Sequence, residues 1–217
     1  MEYRFPDMRI LLFAREPVRG RVKTRLHEEI GADAAYDLYC GMLRYQINTI
    51  RSSRLAPLEL WVSGNPDNPE LTSLGLEDCT FEQSGADLGE RMHFAVSAAM
   101  ERSRAVLLLG VDSPSIDRDY LELALASLDA GRQVLIGPAE DGGYVLLGLS
   151  GVWQELFQHM PWGTDRVYAM TLERTRQLDL DVDLLPERWD VDRPEDLEKL
   201  AGLEPPLDIN VARLKGS

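Results

Sequence analysis

Ile10-Leu-Leu-Phe-Ala-Arg15-Glu-Pro-Val-Arg-Gly20-Arg-Val-Lys-Thr-Arg25 starts as an apolar run and ends as a loop carrying five cations. The run, taken from Arg9 to Ala14, has the length and composition of a buried strand. The residues after it read as a basic loop delivered onto a helix start, where free backbone N–H groups and the helix dipole favour an anion. Gly20 lets the backbone come close to that anion, and Lys23, Thr24 and Arg25 stand at the helix start. The stretch lacks the Gly-x-x-x-x-Gly-Lys-Ser/Thr order of a Walker A loop, so its weight comes from its place after the first strand. We read it as a grip for a di- or triphosphate. The competing reading leaves Arg19 and Arg21 as solvated charges and pairs Lys23 and Arg25 with Glu28 and Glu29 on the next turn.

Outward from this stretch, apolar runs alternate with helical patterns. Strands are expected at Arg9 to Ala14, Leu58 to Ser63, Thr80 to Gln83, Ala105 to Val111 and Gln133 to Gly137. Between them, Ala32 to Ser53 sets Ala35, Leu38, Leu43, Ile47 and Ile50 near one stripe, and Leu88 to Arg102 does the same with Met92, Val96 and Ala99. This alternation predicts an α/β fold with a largely parallel sheet covered by helices. Tyr144 to Leu149 reads as a further strand reached through Asp141-Gly142-Gly143, a turn too short for a helical crossover, so the sheet acquires an antiparallel member there. A helix is expected from about Asp165 to Gln177. Leu178 to Leu185 then leads into Trp189-Asp-Val-Asp-Arg-Pro-Glu-Asp-Leu197, where Pro194 fits the first turn of a final short helix. The Asn- and Pro-containing segment from Gly64 to Gly75 is expected to be a surface loop, and the tail from Glu204 to be loosely held. With no internal repeat and no linker, residues 1–217 are expected to form one domain.

The charge narrows the partners. Lys and Arg total 23 against 37 Asp and Glu, a formal charge of −14, which repels nucleic acid and anionic membranes wherever basic residues do not cluster. Nucleic acid is not an expected partner. Cys40 and Cys79 are too few for a disulfide scaffold and read as reduced thiols. No apolar leader opens the chain, and no stretch approaches the roughly 18 apolar residues of a membrane span. The expected compartment is the cytoplasm, and the oligomeric state is left open.

Acidic clusters fall at strand ends. In Val106-Leu-Leu-Leu-Gly-Val-Asp112-Ser-Pro114 a buried strand stops at an aspartate, and the proline forbids its continuation. Asp112 is therefore expected at the carboxyl edge of the sheet, the edge where open α/β sheets bind ligands and to which strand one delivers the basic loop. A divalent metal reconciles phosphate with carboxylate, since Mg²⁺ takes one or two carboxylates and completes its shell with water and phosphate oxygens. Asp190 and Asp192 alternate along an extended segment and share one face, so either is a second ligand; capping of the Pro194 helix competes for Asp192. Glu140, Asp141, Gly142 and Gly143 form a cluster against which a substrate can lie, or simply a hairpin turn. Asp87 reads as an N-cap with Glu90 completing a capping box, and Arg91 as a residue facing the nucleotide. Trp162-Gly-Thr164 reads either as a wall of the acceptor pocket or, through Thr164, as a cap. His27, His93 and His159 have no metal-ligand spacing.

Phe13 to Leu26, Gly110-Val-Asp-Ser-Pro114, Glu140-Asp-Gly-Gly-Tyr144 and Asp190-Val-Asp-Arg-Pro-Glu-Asp-Leu197 together resemble the DUF2064 family of glycosyltransferase-A-like proteins. More distantly the chain is similar to the molybdenum-cofactor and phospholactate guanylyltransferases. The resemblance implies a three-layer α/β/α sandwich with a mostly parallel mixed sheet, of the nucleotide-diphospho-sugar transferase type. It also implies a nucleotide over the first strand's loop, in contact with Ala14, Arg15, Gly20, Lys23, Arg25 and Arg91. Mg²⁺ or Mn²⁺ would sit on Asp112 and one of Asp190 and Asp192. Lys23 and Arg15 would offset phosphate charge, Asp141 or Glu140 would act as base on an acceptor hydroxyl, and Trp162 would line the acceptor side. The glycine-rich signature loop of the guanylyltransferases is replaced here by Arg15-Glu-Pro-Val-Arg-Gly20. The implied partners are a nucleotide or nucleotide-sugar donor and a small-molecule acceptor. Glycosyl transfer is favoured, with nucleotidyl transfer to a small phosphorylated acceptor as the alternative and a non-catalytic nucleotide-binding regulatory domain as a third reading.

Overall fold

The computed structural model describes residues 2–207 and 209. Seven strands form one sheet in the order β3-β2-β1-β4-β6-β5-β7. They are β1 (Met8–Arg15), β2 (Leu58–Ser63), β3 (Thr80–Glu82), β4 (Ala105–Gly110), β5 (Val134–Pro138), β6 (Tyr144–Leu149) and β7 (Val182–Leu184). Among the described residues only β6 runs against its neighbours, pairing antiparallel with β4 and β5, while the other strand pairings are parallel. The short turn before Tyr144 thus has the predicted effect.

Side-chain alternation along β1 builds two cores. Ile10, Leu12 and Ala14 face one cluster and Leu11 and Phe13 the other, which is the period-two geometry of a strand buried on both faces. On the first side lie α1 (His27–Ser53) and α4 (Arg118–Asp129); on the second lie α3 (Leu88–Met100) and α5 (Val167–Gln177). The result is the expected three-layer α/β/α sandwich. Gly31, with φ 78° and ψ 159°, breaks the first turn of α1, so the continuous helix begins at Ala32 as its apolar stripe suggests.

Several expectations need correction. The segment from Gly64 to Gly75 contains a short helix, α2 (Pro69–Thr72), capped by Asn68 and pinned by the buried Leu71. The final helix is a 3₁₀ helix over Pro194–Gly202, with Pro194 in its first turn. β7, inside the segment from Leu178 to Leu185, is a three-residue edge strand too short to show a period. The tail is not loose at its start, because Leu207 is buried and Ile209 packs on the core; the remainder of that expectation lies outside the described residues. Cys40 and Cys79 are free thiols. Among the described residues no helix is long and apolar enough to cross a membrane.

Candidate functional site

The parallel strands β1 and β4 lie side by side, with Phe13 opposite Gly110, so the basic loop and Asp112 leave the sheet at the same rim. Tyr39, buried on α1, fixes the exit of β1: the Arg15 N–H donates to its hydroxyl at 2.7 Å, and the hydroxyl donates to the Arg15 carbonyl at 2.8 Å. Burial, and then the charge of Asp112, hold that hydroxyl well above its ordinary pKa, so it stays a donor. Ala14 is buried, and its carbonyl accepts from Gln83 Nε2 at 3.2 Å.

Lys23 carries the junction. Its backbone is left-handed, with φ 49° and ψ 41°, in a region that costs non-glycine residues energy. Its Nζ lies 2.7 Å from Asp112 Oδ1 and donates to the Val191 carbonyl, and only 4% of its side chain is exposed against 49% for Asp112. Val191 is itself buried, and its N–H donates to the Asp112 carbonyl at 2.8 Å. Ser115 Oγ adds a bond to the Trp189 carbonyl at 2.5 Å. The strap from Trp189 to Asp192 is therefore laced to the loop after β4. With Val191 pointing inward, the alternation read from Asp-Val-Asp puts both acids on the rim.

The two acids differ in company. Asp192 pairs with Arg25, and the helix start that it was a candidate to cap is served instead by Asp196, which accepts from the N–H groups of Asp192 at 3.0 Å and Arg193 at 2.8 Å. Among the described residues Asp190 has no such partner. Burial first, then the charges of Asp141 and Asp112, push its carboxyl up to about 6, and Lys23 opposes them only in part. An acid held among like charges has reason to accept a cation. No three His, Cys, Asp or Glu side chains among the described residues form a ready-made metal cage. A half-exposed Asp112 beside Asp190 nevertheless fits Mg²⁺ or Mn²⁺, which takes few carboxylates and completes its shell from phosphate and water.

Of the five cations in the loop, Lys23 and Arg25 do not pair with Glu28 and Glu29; they reach across the chain to Asp112 and Asp192. Arg19 turns away to Asp33 and Asp37 on α1 and lies over the Tyr36 ring. Arg15 is exposed at the strand end, and Gly20 makes its turn with φ 76°. Arg91 donates to Ser63 Oγ at 3.0 Å and to the Gly85 carbonyl at 3.1 Å. Ser63 stands opposite Arg15 in the β1–β2 register, so Arg91 stands at the neighbouring strand end. Asp87 caps α3 through the Glu90 N–H at 2.9 Å, and the Glu90 carboxylate reaches the Ala86 N–H at 2.7 Å.

The turn after β5 completes the rim. Asp141 is exposed and accepts from the Gly143 N–H at 2.9 Å, while Gly142, with φ 85°, lies so close to Asp165 that an added Cβ would stand 2.5 Å from its carbonyl oxygen. Glu140 does not face a free site: its carboxylate is paired with Lys199 at 2.6 Å. Trp162 packs edge-on against Tyr144, with centroids 6.4 Å apart. Thr164 is not the cap of α5, which starts at Val167 with no side-chain cap. A groove of about 1000 Å³ between α1, the start of α4 and Glu204–Pro206 shares no lining residue with this cluster.

Two supports of the site went unread in the sequence, Tyr39 and Gln46. Gln46 is fully buried on α1, and its amide donates to the Ser113 carbonyl next to Asp112. The signal was a polar residue within the apolar stripe of α1, one position before Ile47.

A protein from Desulfovibrio desulfuricans, provisionally named a nucleotide-diphospho-sugar transferase, is similar in structure, with a TM-score of 0.81 and 35% identity over 88% of this chain and 84% of that one. A cytidylyltransferase from Leptospira borgpetersenii matches at TM-score 0.56 and 15% identity, over 90% of this chain and 85% of that one. Glucosyl-3-phosphoglycerate synthase from Mycobacterium tuberculosis, solved with Mg²⁺ and UDP, matches at TM-score 0.55 and 12% identity, over 90% and 75%. At those two lower identities the likeness shows the fold alone. No protein of curated function matches the chain. The family described as "Uncharacterized protein conserved in bacteria (DUF2064)" matches residues 46–164. The fold is that of the nucleotide-diphospho-sugar transferases, and the chain belongs to the DUF2064 family.

Proposed function

We propose that this protein is a metal-dependent transferase that takes a nucleotide sugar as donor and passes the sugar to a small acceptor. The observation that carries the reading is the meeting of Lys23, Asp112 and Asp190 at the exit of β1 and β4. The name of the Desulfovibrio relative, and the UDP and divalent cation in the mycobacterial synthase, support it.

In this reading Asp112 and Asp190 hold the cation, which offsets charge on the donor's phosphates. Arg15, exposed at the strand end, and Lys23 orient the diphosphate and stabilise it as it leaves, by electrostatics aimed where charge develops. Arg91 and the Ala14 strand end line the nucleotide's side. With Glu140 tied to Lys199, Asp141 is the base that takes the proton from the acceptor hydroxyl, over the floor formed by Gly142, Gly143 and Trp162. Arg25 acts through Asp192, holding the strap in place.

Nucleotidyl transfer is the second reading, and the engagement of Glu140 by Lys199 favours it, because a phosphate acceptor needs no base. A thermal-shift screen of nucleotide sugars and nucleoside triphosphates, with Mn²⁺ and then with chelator, separates the two. Stabilisation by UDP- or GDP-sugars supports glycosyl transfer. Stabilisation by GTP or CTP alone supports nucleotidyl transfer, and no response to any of them removes both.

A further inference from the structure

Lys23 and Asp112 form an ion pair of unequal exposure. The ammonium group is almost wholly enclosed, against Asp112 Oδ1 on one side and the Val191 carbonyl on the other, while half of the Asp112 side chain faces solvent. Lys23 is thus fastened to the acid that the proposed function gives to a cation, not extended toward the rim where phosphates would lie. The oxygen that Lys23 meets at 2.7 Å, Oδ1, is buried, so a metal ion arriving from solvent meets the other oxygen first and competes with the ammonium for the same carboxylate charge.

The charges around the pair give the exchange a direction. The charges of Asp141 and Asp112 both act on Asp190, with Lys23 opposing them; Arg25 is committed to Asp192, and Lys199 to Glu140 and Asp196. A divalent cation brings one more positive charge to the acids than the lysine does. Once Asp112 is held by that cation, the lysine keeps the neutral Val191 carbonyl as its acceptor, and a phosphate is the charged acceptor that arrives with the donor.

We propose that Lys23 and a divalent cation compete for Asp112, and that the displaced lysine turns to the donor's phosphates. This inference rests on the metal reading above. It makes cation and donor bind with positive coupling, because each removes the obstacle to the other. Lys23 is then the exchange element of the site rather than a fixed phosphate ligand.

The chain has three lysines, Lys23, Lys199 and Lys215, so pulse acylation followed by mass spectrometry reads Lys23 separately, with Lys199 as internal reference. In the full-length protein Lys23 should react slowly in chelator, at least about fivefold faster with Mn²⁺ alone, and slowly again when inorganic pyrophosphate is added, a span typical of coupled sites. In a parallel titration, Lys23→Met should bind Mn²⁺ more tightly than wild type and show a smaller gain in Mn²⁺ affinity from pyrophosphate, keeping only the part that comes from pyrophosphate's own contact with the ion. If Mn²⁺ binds through Asp112 but leaves the Lys23 rate unchanged, or if the pyrophosphate gain is as large in Lys23→Met as in wild type, the exchange is overturned while the metal reading stands. If Asp112→Asn binds Mn²⁺ as well as wild type does, or neither binds it, the metal reading falls and the exchange with it.

Discussion

Each end of the sheet holds a cluster of partly buried charges, and the two clusters are built on opposite plans. At the amino ends of β1 and β2, the nearly buried Glu59 is met by two guanidiniums and an indole. Arg102 binds it through Nε at 3.0 Å and Nη2 at 2.8 Å, Trp61 Nε1 donates at 3.1 Å, and Arg9 stands at 3.7 Å. Every strong acceptor there has donors from the chain itself. At the carboxyl rim, among the described residues, three aspartates gather near one lysine, and Asp190 has no cation of its own. A cluster that satisfies itself is scaffold; one left with excess charge of one sign is open to a ligand of the other.

The hardest test of that contrast removes the centre of the closed cluster. Glu59→Ala strands two arginines and an indole N–H, and breaking a buried pair from one side typically costs about 3 kcal/mol or more. Urea unfolding should show that loss, while the Mn²⁺-dependent nucleotide binding proposed for the far rim stays at the wild-type value. Loss of nucleotide binding in a folded Glu59→Ala protein would mean that the two ends are not separable.

At the rim the expected stability loss is smaller and is reversible by a second change. Asp112→Ala leaves the enclosed Lys23 ammonium without its carboxylate, at a cost of about 2 kcal/mol by the same reasoning, reduced because the acid itself is half exposed. Adding Lys23→Met should restore most of that stability without restoring metal-dependent binding. A double-mutant cycle by urea unfolding measures the coupling, and additive effects would show that the ion pair contributes nothing to the fold.

The contrast also marks what the sequence could reveal. Asp112 and the basic loop were legible because each comes after a strand that ends abruptly, and the rim location results from a parallel β1–β4 pair. Asp190 and Asp192 were legible as a period-two pair around Val191, but not which one would find a partner, because Arg25 reaches Asp192 from 167 residues away. Glu140 looked like a substrate contact for the same reason, since its partner Lys199 lies 59 residues on. The stripe of α4, with Tyr120, Leu121, Ala124, Leu125 and Leu128 buried, is as regular as that of α1, though only the stripes of α1 and α3 were picked out from the sequence. β7 was not, because three residues at a sheet edge carry no period. Local pattern fixes elements and the ends they reach; ion pairing across the chain decides which charges remain free.

Gly142 tests the turn that carries Asp141. Its φ of 85° disfavours any side chain, and an added methyl would meet the backbone of Asp165, so Gly142→Ala should cost about 1–2 kcal/mol. Differential scanning calorimetry should show the lowered transition. Crystallography should show the turn moved away from Asp165, carrying Asp141 out of line with Asp190. An unmoved turn with unchanged stability would deny the close approach.

The mildest effect is one of pH and concerns Asp190 in metal-free buffer. Its carboxyl is raised from an ordinary 3.8 to about 6, so the folded protein holds that proton more tightly than the unfolded chain does. Its contribution to stability is therefore complete below about pH 3.8 and is lost as pH rises through about 6. Asp190→Asn removes the titration, so between pH 5 and 7 the variant should gain on the wild type, and at pH 7 it should be the more stable of the two. Urea midpoints across that interval, with chelator present, decide the sign. A wild type that gains on the variant as pH rises would mean that Asp190 already has a cationic partner, and the rim would then be as closed as the cluster around Glu59.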